Sequence, residues 1–445
     1  MLLKRSIIIH ILLLVLLTQS GCGRFFGKDD ALLKGRTVSV AVTVPESPPP
    51  AAKPVKESPP VKSSGPQNSV AIDSKLLPSE ESSSTYPLFY LDIHPLKDLP
   101  AQRRYDKTQF SDLVVEKGII NEDTVWRGAV LIKKSLVVTP QATLRIEPGA
   151  VVRFAPAEQG QQPLRLVVQG RLVSAGTLSR PVTISSAYPS PQPSDWGGIV
   201  LLGSEKKNSF EHTLITGAIN AIDARHSSLS VRAIKISDSL LGISVNDSTA
   251  SIHSADISRT DTALYFSDSE VEMRELKLRQ NRLGILGLRS SFTISSSTVQ
   301  SNAQEGIVAD SCRFRINGSH FTKNRTGAFI KSGEGQIQQC SFSENTESGL
   351  ALVACKARIQ SASFRSNQYS GIMIDSARGS VSGSLFTFNS GPNIVFKGNE
   401  SFSLILNFWD TLDEKTIQSS IRYQKSALNR LDITPVLTEK PPLAP

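Results

Sequence analysis

The chain has 445 residues, 39% of them hydrophobic and 20% charged, with a formal net charge of +9. That composition supports a sizeable core, and 29 Gly with 25 Pro are too few for collagen or for disorder throughout. Four Cys exclude a disulfide-dense scaffold, and six scattered His with three Met argue against a metal cage.

In chain order, residues 1–21 read as a processing segment. Lys4 and Arg5 precede an apolar run from Ile7 to Leu17, too short to cross a bilayer as a mature helix. Thr18-Gln19-Ser20-Gly21-Cys22 then resembles the lipobox of bacterial lipoproteins, with Gln19 where that pattern prefers Leu. The resemblance implies cleavage before Cys22, lipidation of Cys22, and a protein anchored to the membrane without spanning it. Gly23 in place of Asp implies, by the same resemblance, sorting to the outer membrane. Loss of Lys4 and Arg5 takes the formal charge from +9 to +7.

Residues 22–85 form the next unit. Ten of the 25 prolines fall within residues 43–87, among many Ser, Lys and Glu, a composition that buries no core. It predicts a disordered Pro-rich tether that reaches on the order of 130 Å at about 3.1 Å per residue. Residues 86–127 regain apolar character, with Leu88, Phe89, Tyr90, Leu91 and Ile93, then Phe110, Leu113, Val114 and Val115. They are expected to cap the N-terminal end of the main domain.

From residue 128 a repeat of 21–22 residues sets in. A small residue followed by an apolar one recurs at Ala221-Ile222, Gly242-Ile243, Ala263-Leu264, Gly284-Ile285, Gly306-Ile307, Gly327-Ala328, Gly349-Leu350 and Gly371-Ile372. Gly128, Gly149, Gly170 and Gly198 serve as earlier markers, the last delayed by a Pro-rich insertion at Tyr188 to Asp195. Two apolar columns keep the same step. One runs from Val231 through Ile252, Met273 and Ile294 to Val381 and Phe402; the other runs from Ile236 through Ile257 to Phe364 and Phe386. Within a coil the alternation has period two, which is strand. An Asn column (Asn281, Asn302, Asn324, Asn345, Asn367, Asn389) predicts a hydrogen-bonded ladder of stacked side chains. Ile, Val and Phe columns do not suit a leucine-rich repeat.

Period, columns and ladder together resemble the right-handed parallel β-helix of the pectate-lyase-like superfamily, in its bacterial cell-envelope form. Thr143 to Phe154, Gly170 to Thr177 and Trp196-Gly197-Gly198-Ile199 resemble its opening coils, and Asn407-Phe408-Trp409-Asp410-Thr411 its closing segment, with Asp410 where Gly is usual. The expected fold is all-β: a single-stranded solenoid of about thirteen coils over residues 128–410, followed by a C-terminal cap and tail at 411–445.

The resemblance implies a surface that handles polysaccharide, because enzymes of this fold act on acidic glycans with clustered carboxylates, Ca²⁺ and a basic residue. The candidate catalytic set is His226, Asp247, Asp268 and Arg289, one residue per successive coil, with adjacent carboxylates about 5 Å apart. An Asp-rich turn column produces the same pattern. No cofactor is expected unless the chain is an enzyme, in which case Ca²⁺ is. A second candidate is the outward position of the Gly-Ile-x-Val strand, apolar from Tyr265 through Leu286, Val308, Phe329, Ala351 and Met373 to Val395. Such a row is normally covered, here by residues 411–445 or 86–120, or else it is a docking strip. A third is a basic strip of Arg313, Arg315, Lys356, Arg358 and Arg378 interrupted by Glu334. Cys312, Cys340 and Cys355 occupy columns of small residues and are expected to be unpaired core fillers. The expected function is a non-catalytic envelope scaffold for a polysaccharide or protein partner, the alternative a polysaccharide lyase, hydrolase or epimerase. Nucleic acid is not an expected partner, since the few aromatics form no stacking platform.

Overall fold

A computed structural model describes residues 112–423 and 430–441. The expected lipidation site Cys22, the expected tether and most of the expected N-terminal cap lie outside the described residues. What is described is an all-β parallel solenoid of about 13 turns.

Every coil contributes to three columns of stacked parallel strands. The first column holds the Gly-Ile-x-Val strands, with Ile222 beside Ile243, Ile243 beside Leu264 and Leu264 beside Ile285. The second carries Val231, Ile252, Met273, Ile294, Ile316, Ile337, Ile359 and Val381 in unbroken register. The third carries Ile236, Ile257, Leu278 and Val299, then Phe321, Phe342, Phe364 and Phe386. Inward side chains of all three columns merge into one core, because a parallel sheet coiled on itself buries one face of every strand. The four Phe rings of the third column stack at 5.0, 5.2 and 5.1 Å, and Trp409 closes the pile 4.7 Å beyond Phe386.

The structure corrects the register at both ends. Ile199 pairs with Leu166, and Leu166 with Leu136, so the first column runs back through those residues. Gly128 and Gly149 lead into third-column strands and Gly170 into a second-column strand; their even spacing belongs to no single column. Phe402 stacks on Gly379, two places from Val381. Parallel pairing already begins at Leu113–Val115, within the expected N-terminal cap. At the other end, Ile421–Tyr423 and Leu431–Asp432 add a further layer to the first and second columns. Asp410 takes the turn at φ 63°, a left-handed conformation that Asp tolerates, and so replaces Gly without loss of the bend.

Three corner ladders hold coil to coil. In the first, each Asn Oδ1 accepts from the backbone N–H and the side-chain amide of the Asn one coil earlier, as Asn324 does from Asn302 at 3.1 and 2.9 Å. Each Nδ2 also donates to a backbone carbonyl, here Asn324 to Val299 at 3.0 Å. Ser227, Ser248, Ser269 and Ser290 form a second ladder, in which each hydroxyl accepts from the preceding backbone N–H. Cys312 and Cys355 continue that column; Cys340 sits in the third, with Ser297, Ser319 and Ser384. All three thiols are free and buried, and burial pushes Cys340 and Cys355 up to about 12. Asn324→Ala removes the acceptor of the buried Asn302 backbone N–H and the amide donor to the Val299 carbonyl, and should cost about 2–3 kcal/mol. A urea titration with a midpoint near wild type would contradict the ladder's role.

Candidate functional site

The structure places His226, Asp247, Asp268 and Arg289 in line on successive coils, along a shallow groove where the first column turns into the second. All four occupy the left-handed turn position, with φ of 47, 46, 50 and 44°. Each precedes a ladder residue: Ser227, Ser248, Ser269 and Ser290. The column is therefore built first as a bend. Arg289 closes a bidentate pair on Asp268 at 2.8 and 2.6 Å, and Ser267 donates to the same carboxylate at 2.9 Å. The Arg289 guanidinium, then the Ser267 hydroxyl, hold the Asp268 carboxyl below the usual range. Among the described residues no three His, Cys, Asp or Glu side chains gather as a metal ion would need.

Similar pairs bridge neighbouring coils elsewhere. Arg259 holds Asp238, Arg282 holds Asp261, Lys331 holds Asp310 and Lys356 holds Glu334. Arg259 lowers the Asp238 carboxyl, and Lys356 lowers that of Glu334. A carboxyl lowered in the folded state contributes stability that is fully present above its unfolded value, near pH 4, and lost as pH falls through the folded value. Melting temperature should therefore drop on acidification from about pH 5 to pH 3. Each exposed pair contributes little alone, so Asp268→Asn should stay within about 1 kcal/mol of wild type at neutral pH. A flat acid limb in the melting profile would contradict the coupling.

The outward row of the first column is continuous in register: Tyr265, Leu286, Val308, Phe329, Ala351, Met373, Val395. Ala351 and Val395 in it are buried, at 3% and 2% exposed, and the tail strand adds Arg422 to the row beyond Val395. Leu437 and Pro435 bond back to Asn407 and Leu406, which stacks this part of the tail on the end of the solenoid. Residues 112–120 likewise form part of the first coil.

Upstream in the same row lies a residue whose environment the sequence did not reveal. Asp223 points outward between Val200 and Ser244, yet its side chain is only 4% exposed. Arg225 takes Oδ2 at 2.7 Å, and Oδ1 has no hydrogen-bond partner. On the same strand, Asn220 Oδ1 is also buried and unsatisfied. Nothing in an Asn-Ala-Ile-Asp stretch signals this, because the burial comes from neighbouring coils.

The basic strip is present on the second column. Arg313, Glu334, Lys356 and Arg378 stack in one outward row, and Arg315 and Arg358 lie in the next with Gln336 between them. Glu334 takes Lys356 at 2.8 Å and Glu400 takes Arg378 at 2.5 Å.

Comparison with known proteins agrees with this architecture. The family described as right handed beta helix region matches residues 217–357. The family described as pectate-lyase like beta helix domain matches residues 118–224. No curated protein matches the chain. Among solved structures, the periplasmic alginate epimerase AlgG shares 12% identity over 71% of this chain and 78% of its own, with a TM-score of 0.40. The A-module of the Azotobacter vinelandii mannuronan C-5 epimerase AlgE4 shares 13% over 68% and 90%, at 0.42. Tailspike protein 2 of bacteriophage CBA120 shares 11% over 65% and 43%, at 0.34.

Proposed function

The chain is a right-handed parallel β-helix repeat protein, and from that premise we propose that it is a non-catalytic scaffold of the bacterial cell envelope that binds an extended polysaccharide along the first column. Lipid on Cys22 would anchor it at the outer membrane, and residues 22–85 would hold the solenoid away from the surface. The observation that carries the reading is the apolar outward row that runs in register from Tyr265 through Leu286 and Val308 to Met373, half-buried at each of these positions. Half-buried apolar side chains one coil apart offer the C–H faces of a sugar chain contacts parallel to the solenoid. Arg225, 57% exposed beside Asp223, supplies a donor upstream of the row.

The test is retention of the mature protein on immobilised polyuronate and neutral glucan. Leu286→Asp with Val308→Asp should weaken retention at least tenfold while the fold is kept. Undiminished retention would remove the row from the binding face.

One observation favours a second reading as a glycan-modifying enzyme. Asp223 is a buried carboxylate with one oxygen uncommitted beside an arginine, an arrangement suited to proton transfer on a bound acidic sugar. Product released from polyuronate by wild type, and abolished in Asp223→Asn, would establish that reading and displace the scaffold.

A further inference from the structure

The corner where the third column turns into the first repeats one backbone feature, a left-handed residue just before the Asn ladder. Its occupants are Gln280, Ser301, Lys323, Glu344, Ser366 and Phe388, all with φ between 54 and 58°. Five of the six are polar or charged, as expected for a solvent-facing bend. The exception is Phe388, at φ 57° and 68% exposed. A bulky aromatic disfavours this conformation and gains nothing from facing water. Stability alone would place Asn or Gly here, so the ring is explained by what it contacts.

Its surroundings are those of a recognition surface. Arg365 lies over the Phe388 ring with its guanidinium carbon 5.6 Å from the centroid. One coil earlier on the same corner, Tyr369 is 43% exposed, and Arg422 lies 5.9 Å from its ring centroid. Arg422 also donates to the Tyr369 hydroxyl at 3.3 Å. Two bared rings, each held by an exposed arginine, thus share one corner of adjacent coils. Fixed rings of this kind cost little entropy to engage, and an arginine held over a ring brings several donors with it.

We propose that Phe388 and Tyr369 form a stacking platform for neighbouring pyranose rings of a glycan, with Arg365 and Arg422 donating to their oxygens. The size of the platform selects this partner. Aromatic side chains offer about 150–250 Å² each, so the exposed fractions of the two rings amount to roughly 200 Å². A specific protein interface needs about 800 Å² per partner. A sugar ring fits the smaller area, and its C–H face is complementary to the aromatic face. The platform is separate from the first-column row and stands whether or not that row binds a polymer.

Two substitutions separate binding from folding. Phe388→Asn and Phe388→Gly both suit the left-handed bend, so each should melt at or above the wild-type temperature. Each should also weaken binding of cellohexaose or hexagalacturonate, measured by calorimetry on the mature protein, by tenfold or more. Wild-type affinity in both Phe388 variants, or no binding of either hexasaccharide by wild type, overturns the proposal. Loss of stability in Phe388→Gly would show the ring to be structural and overturn it as well. Concentration-dependent self-association that Phe388→Asn abolishes would assign the ring to a second copy of the chain instead.

Discussion

Phe342→Ala should cost about 3–5 kcal/mol, the range for removing a fully buried aromatic. The Phe342 side chain is 0% exposed, and its ring is sandwiched between Phe321 at 5.0 Å and Phe364 at 5.2 Å. The gap cannot close by local collapse, because both neighbours are fixed by their own strand registers and by the next rings in the pile. Phe342→Leu keeps more of the volume and should cost less. The measurement is the shift of the urea midpoint at constant slope. A loss below about 1 kcal/mol for the alanine variant would mean that the pile adds little beyond ordinary burial.

Deletion of residues 403–445 should convert the protein from soluble to aggregating. The last described layers bring Ile421–Tyr423 onto Ile394–Phe396, Leu431–Asp432 onto Phe402–Ser403, and Trp409 over Phe386. Their removal bares Phe386 and the strand edges of the preceding coil. A solenoid whose last coil is uncovered presents core and unpaired backbone together, the two ingredients of edge-to-edge association. Size-exclusion profiles of the intact and shortened chains decide the matter. A monomeric, cooperatively folding deletion would show that the preceding coil is sufficient as an end.

The repeat was legible because each coil imposes the same demand on the same position. Inward positions must be apolar at the third column, so Ile236 to Phe386 could be read as a stack before any coordinates. The Asn ladder was legible for a related reason: a buried amide needs partners, and an identical amide one coil away provides them. The opening coils were less so. Gly128, Gly149 and Gly170 fall at equal intervals yet enter different columns, because a glycine marks a bend and a coil has three. Site residues were the least legible. His226, Asp247, Asp268 and Arg289 were read as a row and form one, but their left-handed geometry and the Arg289–Asp268 pair are properties of the bend. Asp223 and Phe388 work the other way. One is buried where the pattern says outward, and the other is exposed where apolar character suggests core. Both depend on how adjacent coils meet, which period and composition do not encode.

The third column changes character halfway, from Ile, Leu and Val up to Val299 to Phe from Phe321 onward, and the first-to-second corner changes from Ser to Cys and Gly after Ser290. A chain made of near-equal coils faces a hazard that a globular domain does not, since sliding by a whole repeat leaves every strand paired and every apolar face inward. The changes give individual coils an address. A slip by one repeat would lay Phe342 on Val299 and remove one ring contact from the pile. It would also set Asp268 opposite Ser311 in place of Arg289, its bidentate partner. Heterogeneity along the columns thus lets a repetitive chain count its own coils as it closes.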